Sequence, residues 1–330
     1  MFAALNAFQV GGKPTLVSDV FSTSLYTGNG STQTITNGID LSNKGGLVWI
    51  KGRSLASDHR LADTITGAQK ELVSNQTTAQ VTAVNGITAF SSTGFSIGSA
   101  SGYNNNTETF VSWTFRKQPK FFDVVTYTGN TSGGSSQTIA HNLGSTPGCI
   151  IVKATSISGE NWAVWHRSFT TNQVIYLNQT DAVASLSAGN SFPTLPTETN
   201  FTVGFNGSQN GNGTQYVAYL FAHDAGGFGT GADNAISCGS YTTDGSGNAT
   251  INLGYEPQWL LVKNTSAPAN WIVIDNMRGF GSVVDSTNRL NPDTSAAEVV
   301  GSTPYYVTST GFTAESGPSV NFIYIAIKAS

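Results

Sequence analysis

Three stretches dominate the hydrophobic pattern of the chain: Phe110-Val111-Ser112-Trp113-Thr114-Phe115, Tyr216-Val217-Ala218-Tyr219-Leu220-Phe221 and Phe322-Ile323-Tyr324-Ile325-Ala326-Ile327. They start at 110, 216 and 322, an interval of 106 both times. Aromatic and β-branched residues crowd each one, the composition of a pleated, half-buried strand. A strand that returns at a fixed interval marks a unit laid down three times.

The landmarks before each stretch repeat in the same order. A Tyr-Thr opener (Tyr26-Thr27, Tyr127-Thr128, Tyr241-Thr242) precedes an apolar run ending in lysine (Lys51, Lys153, Lys263). A polar-aromatic segment follows, over 58–63, 162–167 and 271–278. Gly94-Phe95, Asn200-Phe201 and Gly311-Phe312 then form a turn before the closing strand. Gly, Asn and Ser clusters fall about every 8–12 residues, and no stretch sustains a capped helical period. The pattern predicts an all-β chain of three tandem, jelly-roll-like β-sandwich repeats of roughly 105 residues, each large enough to bury its own core. Repeat 1 spans 20–120, repeat 2 spans 121–224 and repeat 3 spans 235–330. The Gly-rich stretch 225–234 reads as a linker and hinge. Residues 1–19 match no repeat. They read either as a frayed terminus or as an anchor that docks Met1, Phe2, Leu5 and Phe8 onto another chain.

Charge changes this picture mainly by its scarcity. Charged residues are 10% of the chain and the formal net charge is −4. With no basic footprint, nucleic acid is not an expected partner. No apolar run approaches the roughly 18 residues of a membrane span, so no membrane insertion is expected. The apolar start lacks the basic flank of a secretory signal. Cys149 and Cys238 are expected as two separate buried thiols, in a protein made in a reducing cytoplasm.

Candidate chemistry is sparse. His59, His141, His166 and His223 read as surface or core histidines. Asp58-His59 and His223-Asp224 are neighbours, but adjacency along a strand points side chains to opposite faces. No Gly-x-Ser-x-Gly elbow sits between a strand and a helix, and the sequence has neither an EF-hand loop nor zinc spacing, so no cofactor, metal or catalytic residue is expected. Asp275 to Gly279 looks like Asp63 to Gly67, which reads as a buried Asp–Arg contact closing a strand end. Trp162, Trp165 and Trp271 stand near Asn161 and Asn270. They either fill the core on alternate positions or form glycan contacts, an indole stacking on a sugar face beside amides.

The openers, Gly46 to Arg53, Val111 to Asn130 and Tyr216 to Gly229 together resemble a family of repeat proteins from tailed, often marine, bacteriophages, and the resemblance covers 20–330. It implies a non-enzymatic structural protein on the virion exterior, made in the host cytoplasm. The expected role is a tail-associated fibre or adhesin contacting a host glycan or receptor. A capsid decoration or head-spike protein is the alternative, and an envelope-glycan depolymerase the second. Other virion proteins would be met through the N-terminal segment. Exposed strand edges with few charges to blunt them predict a homo-oligomer, with the trimer taken from analogy with phage fibres.

Overall fold

A computed structural model describes residues 14–131, 134–283, 287–301 and 303–330. Met1, Phe2, Leu5 and Phe8 lie outside the described residues. The chain is all-β, and the two α-helices among the described residues, Ser101–Asn104 and Gly207–Asn210, are single turns. The first block holds β1 (Phe21–Thr27), β2 (Gln33–Thr36), β3 (Gly46–Gly52), β4 (Arg60–Asp63), β5 (Lys70–Val73), β6 (Val81–Thr82), β7 (Ile87–Ser91), β8 (Gly94–Ile97) and β9 (Thr109–Arg116). The second holds β10 (Phe122–Thr128), β11 (Gln137–Ala140), β12 (Cys149–Ala154), β13 (Ala163–His166), β14 (Gln173–Tyr176), β15 (Ala184–Ser185), β16 (Asn200–Val203) and β17 (Gln215–Phe221). The third holds β18 (Ile236–Thr242), β19 (Asn248–Asn252), β20 (Pro257–Asn264), β21 (Ile272–Asp275), β22 (Tyr305–Thr308), β23 (Gly311–Glu315) and β24 (Asn321–Lys328).

Each block builds one large antiparallel sheet, ordered β1-β9-β3-β4-β5-β6, β10-β17-β12-β13-β14-β15 and β18-β24-β20-β21. A smaller sheet covers one face: β2-β8-β7, β11-β16 and β19-β23-β22. The three stretches at 106-residue spacing lie within β9, β17 and β24, the second strand of each large sheet, paired on both sides. The Tyr of each opener lies across from the first residue of its stretch and stacks on it. Tyr26 on Phe110, Tyr127 on Tyr216 and Tyr241 on Phe322 have ring centroids 5.2, 5.1 and 4.9 Å apart.

Both faces of a large sheet are buried, which explains the uninterrupted apolar run of β3. On the outer face Val48, Ile50, Ala62 and Phe110 pack beneath Ile35, Phe95 and Ile97 of the small sheet. On the inner face Leu47, Trp49, Trp113 and Phe115 join the inner faces of the other two blocks. Phe115 has its ring 5.7 Å from Phe221 and 5.6 Å from Trp259. The expectation that each repeat buries a core of its own is therefore corrected: the outer layers keep local cores, but the inner faces share one.

Backbone bonds at equivalent places close the blocks into a ring. Gly159 N–H donates to Thr77 O (2.9 Å), Ala269 N–H to Thr180 O (2.8 Å) and Ser57 N–H to Ser295 O (2.8 Å). A second set runs beside it: Gln80 N–H to Thr155 O, Val183 N–H to Thr265 O and Glu298 N–H to Arg53 O. The second block thus meets the first, the third meets the second, and the first meets the third.

The Gly-rich stretch expected as a hinge is a closed loop. Gly226, Gly227, Gly229 and Gly231 all have φ between 52° and 96°, so the glycines answer a left-handed backbone. Phe228 is buried against Phe121, and Gly229 N–H donates to Thr15 O.

Candidate functional site

The seams use most of the polar residues that stand out in the sequence. Lys51, Lys153 and Lys263 end the apolar runs, and all three are buried. Lys153 Nζ donates across the seam to Thr77 O (3.2 Å) and within its block to Glu160 O (2.9 Å). Lys263 Nζ does the same to Thr180 O (2.8 Å) and Ala269 O (2.6 Å). Lys51 Nζ donates to Gly52 O. Burial lowers each amine from its ordinary value to about 8.

A second ring of polar contacts joins the ends of β4, β13 and β21 to the next block. Tyr219 Oη donates to Asp63 Oδ2 at 2.9 Å, and Trp113 Nε1 to Asp275 Oδ2 at 2.8 Å. At the third seam the acceptor-bearing block offers only Ile325 and a backbone carbonyl, and His166 replaces the carboxylate. Its Nε2 lies 3.2 Å from Tyr324 O. Burial lowers His166 to about 3, so the neutral ring serves as donor. Arg278 Nε donates to Asp275 at 2.7 Å, and its guanidinium lies over the Trp113 ring and also meets Glu298. His166 and the carboxylates of Asp63, Asp275 and Glu298 hold the ring together.

Two of the tryptophans expected to contact glycan belong to the same seams. Trp162 Nε1 donates to Val73 O and Gln76 O, and Trp271 Nε1 to Tyr176 O. Both are buried, so neither offers a ring face to a sugar. Asn161 Oδ1 accepts from Asn178 and Gln179, whereas Asn270 is exposed. The structure does not bring these four residues into one site.

Trp165 is different. Its counterparts by strand register are Ala62 and Ile274, packed under three-stranded outer sheets. The second block has only β11 and β16 there, and Pro193 and Pro196 fall in the segment where the other blocks have β7 and β22. Proline cannot donate to a ladder, so two within four residues disfavour that third strand. The result is a cleft of about 480 Å³, within the ordinary range for small-molecule sites. Leu195, Pro196 and Glu198 line one side, 144–147 another, and Trp165 and Arg167 the β13 side. His223, Ala225 and Lys120 complete it.

The cleft holds polar groups with no partner. Trp165 is 2% exposed, and its Nε1–H meets no acceptor. Ser145 Oγ is likewise buried and unpaired. The Arg167 side chain makes no ion pair or hydrogen bond among the described residues. His223 Nδ1 accepts Cys238 N–H at 3.2 Å, which puts the neutral ring's proton on Nε2. Asp224 Oδ2 is 3.4 Å from the same Nδ1, but its other oxygen takes the Ser237 hydroxyl. Burial first, and then Arg167, lower His223, against a raising effect of Asp224. An Nδ1 that already accepts cannot donate to the carboxylate, so this neighbouring pair is not a base–carboxylate relay in the neutral state.

A family model described as a domain of unknown function (DUF7483) matches residues 16–329. The chain belongs to that family. No curated protein matches it. The DUF7483 match spans all three blocks, so the closed ring lies within a single family domain. Within this DUF7483 chain, Cys149 and Cys238 are buried and unbridged, as the sequence led one to expect. In the sequence Trp165 stands out for a stacking role, whereas Arg167 only ends the polar-aromatic segment 162–167 of the second repeat. The signal for their cleft was the Pro193–Pro196 pair inside one copy of the repeat.

Proposed function

We propose that this chain is a non-enzymatic structural protein of a phage virion, tail-associated, that contacts a saccharide of the host surface through the cleft of its second block. The observation that carries the contact is that the Trp165 side chain, its Nε1–H unpaired, and the unpaired Arg167 line one cleft. A buried donor without a partner costs stability and gives binding energy back when a ligand acceptor fills it. The hydroxyl- and amide-rich surface with few charges, and the resemblance to phage repeat proteins, support the particle assignment. The segment 1–19 is the proposed attachment to other virion proteins.

Two measurements test this. Cryo-EM of the virion should place the chain on the tail; density on the capsid would replace the assignment with a decoration protein. Purified chain should bind host-surface polysaccharide without releasing reducing ends, and Arg167→Gln should weaken the binding. Release of reducing ends would mean a depolymerase, and binding unchanged by Arg167→Gln would remove the cleft from the reading.

A further inference from the structure

We infer that the cleft over Trp165 selects acidic sugars, with a uronic-acid carboxylate as the group it recognises. This deepens the saccharide reading above and rests on it. The β13 side of the cleft offers hydrogen-bond donors: the Arg167 guanidinium, Trp165 Nε1–H and, in the neutral tautomer, His223 Nε2–H. Lys120 adds a second cation. None of these charges is neutralised by a protein carboxylate in an ion pair.

The other side narrows the ligand class. Glu198 lines the cleft and is exposed, and its carboxylate can accept from hydroxyl groups, which a sugar carries and a bare sulfate does not. Pro196 and Leu195 supply apolar surface for the C–H face of a ring. A carboxylate at one end with hydroxyls and an apolar face at the other is the chemistry of a uronic acid. The unpaired, buried Trp165 N–H is the feature that distinguishes this from a merely basic surface patch, since a surface patch has water for its donors.

The test is saturation-transfer NMR and calorimetric titration of the full chain with galacturonic acid trisaccharide, galactose trisaccharide, and inorganic phosphate. The galacturonate should bind at least tenfold more tightly than the galactose, and its binding should shift the Trp165 indole N–H resonance. Arg167→Gln, at an exposed position that leaves the fold intact, should remove most of the preference. Trp165→Phe should weaken galacturonate several-fold while leaving the overall spectrum native. Equal binding of acidic and neutral saccharides would overturn the inference and leave the saccharide reading standing. Binding of phosphate as tight as galacturonate would show a general anion site and overturn the inference as well. If no saccharide moves the Trp165 resonance, both readings fail together.

Discussion

Trp162 and Trp165 lie three residues apart and serve opposite ends. The first closes a seam with a satisfied N–H; the second holds its N–H unsatisfied in a cleft. Trp162→Phe removes the indole donor shared by the Val73 and Gln76 carbonyls, the first of which still accepts Gln76 N–H, and it should cost about 0.5–1.5 kcal/mol in urea unfolding. Trp165→Phe removes a donor that bonds to nothing and should cost less than Trp162→Phe, with chemical denaturation of both variants as the check. The sequence marked both indoles but could not tell them apart. Alternation assigns a residue to a face, and says nothing of what covers that face.

The three seam lysines carry a pH consequence. Each amine sits near 8 in the folded chain against about 10.4 unfolded. Between those values the unfolded chain binds more protons than the folded one, so stability rises with pH. Thermal unfolding should therefore occur at a higher temperature at pH 8.5 than at pH 7.5, before the buried Cys149 and Cys238 thiols, which burial pushes up, oppose the rise by holding protons the unfolded chain has lost. Above about pH 10 the trend reverses, because buried tyrosines such as Tyr127 and Tyr219 hold their protons in the fold after the unfolded chain has lost them. A flat or falling midpoint between pH 7.5 and 8.5 would show that these amines are not desolvated.

At the scale of elements, the end of β21 shows how much of the site and the seams the sequence could disclose. The resemblance of 275–279 to 63–67 pointed to a buried Asp–Arg contact, and Asp275 and Arg278 do form one, with both side chains fully buried. The third participants, Trp113 and Glu298, stand 162 and 20 residues away along the chain and left no local mark. Asp275→Ala strands a guanidinium and an indole N–H in the interior, and should destabilise by about 3–5 kcal/mol in equilibrium unfolding. The strands themselves were legible, because β-branched and aromatic runs between Gly and Asn turns need no distant partner to be recognised. The two-residue strands β6 and β15 were not, since backbone pairing alone defines them. Nor was the Gly-rich loop, where the same glycines serve a flexible linker or a left-handed turn equally well.

Over the whole molecule, the shared inner core couples the three blocks. Removing one block would expose aromatic surface on the other two, so the blocks should not melt apart. Calorimetry should give one transition whose calorimetric and van't Hoff enthalpies agree, and two resolved transitions would show that the outer cores dominate. A fragment covering 121–224 alone should be poorly soluble, with Phe122, Tyr219 and Phe221 bare. The sequence announced three copies but not their arrangement, since a repeat interval measures distance along the chain and carries no angle.

Closure of the seam between the third block and the first has one more result. Thr15 O meets Gly229, and Lys328 Nζ lies 3.8 Å from Asp233, so both described ends of the chain rest on one loop. A circular permutant that joins Ser330 to Thr15 through a few Gly and Ser residues, and opens the chain between Asn130 and Ser135, should fold with the native circular dichroism spectrum. Order of synthesis and order in space are then independent, since in that permutant β10 is made last and must still pair with β17.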